Sequence, residues 1–227
     1  MSIRVVAGEI LTKDTTTRTV IPTAAQPRWP PFARIAERIA TPRRPFPPHR
    51  HEGDEVLTYV IEGSAAYSYG PGPPEPMDEG STKLLTAPTS VSHAISPAPG
   101  RRVRWLAVVT PLPTGKAATV RLQSGRAEPT ELQPDGTALR RVVGPGSSLR
   151  STVGLECEAV EFRSSGTTFK RIGHDRLAVI YALSGQGMVD NQPVEAGEAA
   201  LVDDAAGVAL QGRSGFQAML MRAPRPT

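Results

Sequence analysis

Glycine and proline set the terms for this chain. Its 227 residues include 21 glycines and 23 prolines, nearly a fifth of the total. A composition that rich can leave a chain disordered. Here, however, the two residues punctuate short apolar runs, and that pattern reads as many strands joined by turns. Aromatic residues are only 5% of the chain, so the core must be built mainly from Val, Leu, Ile and Ala. The length permits one large all-β domain or two small ones.

The apolar runs can be followed in order. Residues 3–21 carry Val5, Val6, Ile10 and Leu11 among polar neighbours, enough for one or two strands. Residues 25–48 are proline-rich, which excludes a long helix and leaves room for a short helical turn over 32–39. The segment EVLTYVI (55–61) is β-branched and aromatic, the strongest strand signal, and it runs into Gly63. Residues 65–69 are expected to return as its hairpin partner, and GPGPPEP (70–76) is expected to be a loop. Short strands follow at 83–87, 91–95 and 103–110.

Residues 111–139 are polar and turn-rich, as expected of an inter-domain crossing. Beyond them the style of the first half returns. Strands are expected at 155–162, 177–183, 199–202, 208–211 and 217–221, with a hairpin at 187–194 turning on Asp190-Asn191. TYVIEG (58–63) and IYALSG (180–185) make a weak internal repeat: an apolar strand with a tyrosine, ending at glycine. Short strands at regular spacing, repeated as a set, imply two sandwiches or barrels in tandem. The expected units are 1–115 and 140–227, joined by 116–139.

Charge narrows the partners. The net charge is +4, and 22 of the 26 basic residues are arginine, scattered through the chain. Nucleic-acid binding would call for a clustered basic face with stacking aromatics, and neither is evident. No apolar run approaches membrane-spanning length, and no apolar leader opens the sequence. The single cysteine, Cys157, excludes an intrachain disulfide. The expectation is a soluble cytoplasmic protein, monomer or homodimer, whose partner is a small-molecule substrate or ligand.

Three of the four histidines form a pattern. His49 and His51 stand two apart just before the strong strand, so on extended chain both imidazoles face one side. Glu55 has the same parity, and His93 falls on a later strand. A lone His-x-His is more often a pair of exposed polar residues. The third histidine and the glutamate spacing favour one ion instead. Imidazole suits zinc, copper, iron and nickel, and histidines plus one carboxylate with open positions resemble the non-haem iron arrangement.

The stretch FPPHRHEGDEVLTYVIEG (46–63) resembles the metal motif of the pirins, a family of the cupin superfamily. Pro31-Phe32 is similar to that family's upstream Pro-Phe element. Thr86-Ala87 to His93 resembles its second motif, and Arg104 to Pro113 the strand that follows. The resemblance is good over 27–113 and faint over 140–222. It implies a bicupin of two jelly-roll-like barrels with a divalent metal in the first only, iron(II) foremost and zinc, nickel or manganese as alternatives. It implies a dioxygenase acting on flavonols such as quercetin, or a non-enzymatic regulatory module.

One departure stands out. The pirin glutamate ligand two residues after the last histidine is Ile95 here. Two arrangements remain open: Glu55 as fourth ligand and general base, or His49, His51 and His93 alone, as in three-histidine zinc sites. His174 reads as a loop histidine. Tyr59 and Tyr181, at matching places in the repeat, read as core residues, as do Trp105 and Cys157.

Overall fold

The computed structural model describes residues 2–10, 17–115, 119–126 and 131–226. Leu11 and parts of the expected crossing segment lie outside the described residues. Every regular element among the described residues is a strand, and no helix there is long and apolar enough to cross a membrane.

The first ten strands are β1 (Ser2–Ala7), β2 (Glu9–Ile10), β3 (Thr17–Ile21), β4 (Arg34–Ala40), β5 (Phe46–His51), β6 (Asp54–Tyr69), β7 (Glu75–Asp78), β8 (Ser81–Ala87), β9 (Val91–Pro97) and β10 (Val103–Pro111). The order then repeats with β11 (Arg121–Arg126), β12 (Glu131–Leu132), β13 (Thr137–Val143), β14 (Glu156–Phe162), β15 (Gly166–Arg171), β16 (Arg176–Ser184), β17 (Gln186–Val189), β18 (Gln192–Glu195), β19 (Glu198–Asp203), β20 (Gly207–Gly212) and β21 (Gln217–Pro224). Two curled sheet pairs result. In the first, β8-β6-β10-β4-β3-β2 faces β5, β9, β7 and the far end of β6. In the second, β19-β16-β21-β14-β13-β12 faces β15-β20-β17-β18.

The first strand of each repeat crosses to the other barrel. β1 pairs with β19 at the edge of the second barrel, and β11 pairs with β8 at the edge of the first. Residues 2–7 thus join the sheet of the second barrel, and residues 121–126, from the expected crossing segment, join that of the first. The exchange covers an edge of each large sheet, where unpaired N–H and C=O groups would otherwise stand open.

Continuous apolar runs become intelligible because the large sheets are buried on both faces. On β16, Ala178, Ile180 and Ala182 point into the second barrel, while Val179, Tyr181 and Leu183 point out. On β10, Trp105 and Ala107 point into the first barrel, and Leu106 and Val108 point out. The outward faces of the two large sheets meet, so one cluster holds Leu57, Tyr59, Leu106, Val108, Cys157, Val179 and Met219 together.

Two local expectations are corrected. Residues 32–39 do not form a helical turn; 34–40 is strand β4, sandwiched between β3 and β10. The sequence RIAERIA suits a helix by propensity, but two neighbouring strands supply ladder bonds that an isolated turn cannot match. Nor is Gly63 a hairpin turn. β6 runs through it for 16 residues, leaving β8 and β10 to pair with β7 and β9. Gly63 has φ +85°, and a Cβ there would lie 2.0 Å from the Arg102 carbonyl oxygen, so the strand can bend only without a side chain. The hairpin expected at Asp190-Asn191 is present between β17 and β18, both residues having positive φ.

Candidate metal centre

The local chain decides where the histidines point. Phe46–His51 is a strand of its own, separated from β6 by Glu52 and by Gly53 at φ +69°. On β5, alternation carries His49 and His51 to one face. The antiparallel register sets His49 opposite His93 of β9, and His93 in turn opposite Tyr69 of β6.

The three imidazoles converge. One ligand nitrogen from each lies within 4.8 Å of the others. Ring centroids are separated by 4.3 Å (His49–His93), 5.0 Å (His49–His51) and 5.2 Å (His51–His93). His93 is only 3% exposed, whereas His49 and His51 are half-buried, so the open side lies toward β5.

The nitrogens are prepared as ligands. His51 Nδ1 lies 3.3 Å from Asp54 Oδ2, and His49 Nδ1 lies 3.3 Å from the Pro47 carbonyl oxygen. With Nδ1–H donating in each, Nε2 carries the free lone pair, the arrangement that outer partners impose on metal-ligating imidazoles. His51 Nε2 and both nitrogens of His93 are buried without any hydrogen-bond partner among the described residues. Burial, with positive charge on Arg38 and the neighbouring histidine, lowers His49 to about 4. Burial, then the neighbouring histidines and Arg38, lowers His93 to about 3. Both imidazoles are neutral at pH 7. Orphaned polar nitrogens in a dry site cost stability, and a divalent ion suits this donor set.

Glu55 stands apart from the triad. It is fully buried on β6, but it faces the other barrel. Its carboxylate accepts bonds from the Thr152 amide (2.8 Å), from Thr86 Oγ1 (3.2 Å) and from Ser151 Oγ. The parity that linked it to His51 fails because the chain turns at Glu52-Gly53. On β6 the odd residues Leu57 and Tyr59 lie with Glu55 on the inter-barrel face, while Val56 and Val60 face inward. Ile95 does lie two residues beyond His93, on the same inward face, in a cluster with Tyr67 and Trp105. Among the described residues, no carboxylate joins the three histidines.

The wall around the triad is aromatic. Phe46 meets His49 edge-on at 4.9 Å and Trp105 at 5.6 Å, and the Tyr67 ring lies 5.1 Å from His93. Burial pushes the Tyr67 phenol up, so it stays protonated at neutral pH. Arg38 of β4 stacks on Phe46, its guanidinium carbon 4.0 Å from the ring centroid. It was not singled out from sequence. The available signal was a charged residue alternating with Ala36 and Ala40 on one strand face.

The remaining histidine, His174, is exposed and bonded to Asp204. Cys157 is buried between the barrels, and burial pushes its thiol far up. Tyr59 and Tyr181 both lie in the inter-barrel core. The Tyr181 hydroxyl also donates to Glu37 Oε2 (2.8 Å), which Arg104 pairs at 2.7 Å.

An all-β chain of two tandem barrels, with one imidazole triad in the leading barrel, defines the bicupin class. Comparison with solved structures bears this out and narrows it. The protein GK1651 from Geobacillus kaustophilus superposes with TM-score 0.85 at 22% identity, covering 99% of this chain and 97% of that one. A quercetin 2,3-dioxygenase from Acinetobacter baumannii gives 0.83 at 16% identity, over 98% and 78%. The bacterial pirin YhhW from Escherichia coli, in complex with nickel(II), gives 0.80 at 18% identity, over 99% and 100%. The chain thus has the pirin-like bicupin fold. No family model matches it, and no curated protein matches it by sequence.

Proposed function

We propose that the protein is a metal-dependent oxygenase acting on a small aromatic or enol-type substrate. The observation that carries this reading is the convergence of three imidazoles inside the first barrel, with buried, unpartnered nitrogens on His51 and His93. His49, His51 and His93 would hold the ion, iron(II) foremost. A divalent ion there supplies Lewis acidity and a shared binding point for substrate oxygen and dioxygen. Asp54 and the Pro47 carbonyl fix the two half-buried imidazoles, and Phe46, Trp105, Tyr67 and Ile95 keep water from the inner side. Glu55, committed to the other barrel, takes no part. The likeness to a quercetin dioxygenase and a nickel-bound pirin supports the reading through the fold.

A regulatory module that binds metal without turnover is the second reading, favoured by Ile95 where a pirin carries a carboxylate ligand. Elemental analysis of tag-free protein, followed by oxygen uptake with a flavonol panel, separates the two. Near-stoichiometric iron with uptake is expected of the enzyme. Metal without uptake on any substrate selects the module, and absence of metal removes both.

A further inference from the structure

Arg38 is a buried cation without a counter-ion. It is 5% exposed, and its Nε is buried with no hydrogen-bond partner. No ion pair to it occurs among the described residues. Burial and the like charge of Arg34 lower it to about 10, which leaves it charged at neutral pH. Arg34, Ala36, Arg38 and Ala40 alternate on the inward face of β4, with Arg38 opposite Trp105. Holding a guanidinium unpaired inside a barrel is costly, and stacking on Phe46 recovers only part of that cost.

Apart from Asp54, the residues placed against the triad add no negative charge. Phe46 joins Arg38 to His49, so the guanidinium and the triad share one aromatic wall. Imidazole ligands carry no negative charge, so a divalent ion bound by His49, His51 and His93 would keep its full charge, and Ile95 supplies none of the compensation a carboxylate would. Asp54 is turned to His51. An anion entering from the open side would meet the ion and the guanidinium together, and Arg is the side chain suited to bidentate pairing with a carboxylate.

The geometry points to an aromatic carboxylate as the substrate class of this site, with Arg38 as the residue that binds its carboxylate. The assignment rests on the metal-centre reading for the substrate's place beside the ion, and on Arg38 alone for its charge. Benzoate and its uncharged analogue benzamide are the probes. They are titrated by calorimetry into wild-type protein, R38M and R38K, each metal-free and after loading with nickel(II), with metal content measured in parallel. Wild type is expected to favour benzoate over benzamide by about tenfold or more. R38M is expected to lose that preference at unchanged metal content, and R38K to keep part of it. Ligand-free R38M is expected to melt no lower than wild type, because the substitution removes an unpaired charge. Equal binding of the two probes, absence of binding by either, or a benzoate preference surviving in R38M overturns the assignment. Failure to take up nickel sinks the metal centre instead, and the metal-free titrations then decide Arg38 alone.

Discussion

In the first barrel, paired residues join His49 to His93 and His93 to Tyr69; in the second barrel the strands β15, β20 and β17 pair through Thr168, Leu210 and Val189. Arg38, opposite Trp105, is answered by Val160, opposite Ala218. The scaffolds agree down to their irregularities. β6 and β16 both run to a positive-φ glycine, Gly63 and Gly185, beside a register shift. The second barrel closes its interior where the first keeps a site. Gly187 and Gly212 pair with each other inside the second barrel, and a Cβ on either would come within 2.6 Å of Phe216. Phe216 and Phe162 fill that space, their rings 5.6 Å apart. One fold thus yields a polar pocket or a dry core according to a handful of inward residues, as expected when function is grafted onto a scaffold.

The comparison can be broken most decisively at the metal. Replacing His93 by Ala should lower affinity for a divalent ion by more than about a hundredfold, while His174→Ala leaves it unchanged; metal content after dialysis reads both. Retained metal in His93→Ala would end the contrast between the barrels.

Next comes the filled core. Phe216→Ala should cost about 3–5 kcal/mol, read by denaturant unfolding, with no effect on metal content. The cross-barrel pins should follow. Glu55→Ala strands the Thr152 amide and two hydroxyls, and is expected to cost about 3 kcal/mol, again with metal content intact. A loss of metal at wild-type stability would return Glu55 to the site. Tyr181→Phe, which leaves Glu37 its arginine, should cost only about 1 kcal/mol.

The last contrast is in pH dependence. His93 and His49 titrate near 3 and 4 in the folded protein and near 6.5 when unfolded. Between those values the unfolded chain binds more protons. Stability of the metal-free protein is therefore complete above about pH 6.5 and falls as pH drops toward 3. Melting temperatures from pH 7 to 4 should show that slope, and His93→Leu should flatten it. An equal slope in the variant would show that other groups carry it.

Much of this was legible in the sequence because it rests on local pattern. EVLTYVI and LAVIYAL are strands by composition, Asp190-Asn191 is a turn by backbone chemistry, and His49 and His51 share a face by alternation. What misled was also local. RIAERIA has helical propensity but takes its bonds from two neighbouring strands, and Gly63 looks like a turn but serves as a bend within one long strand. The parity argument for Glu55 counted across Gly53, where the chain changes direction.

The sequence by itself determined an all-β chain of two repeats and the three histidines in the leading one, because strand period, turn residues and rare ligand types are written residue by residue. Only the tertiary structure decided that Glu55 pins the barrels together, that β1 and β11 change sides, and that Arg38 lies buried beside the triad. Those facts depend on which strands pair and in what register, and register is set by the packing of whole sheets rather than by any one segment.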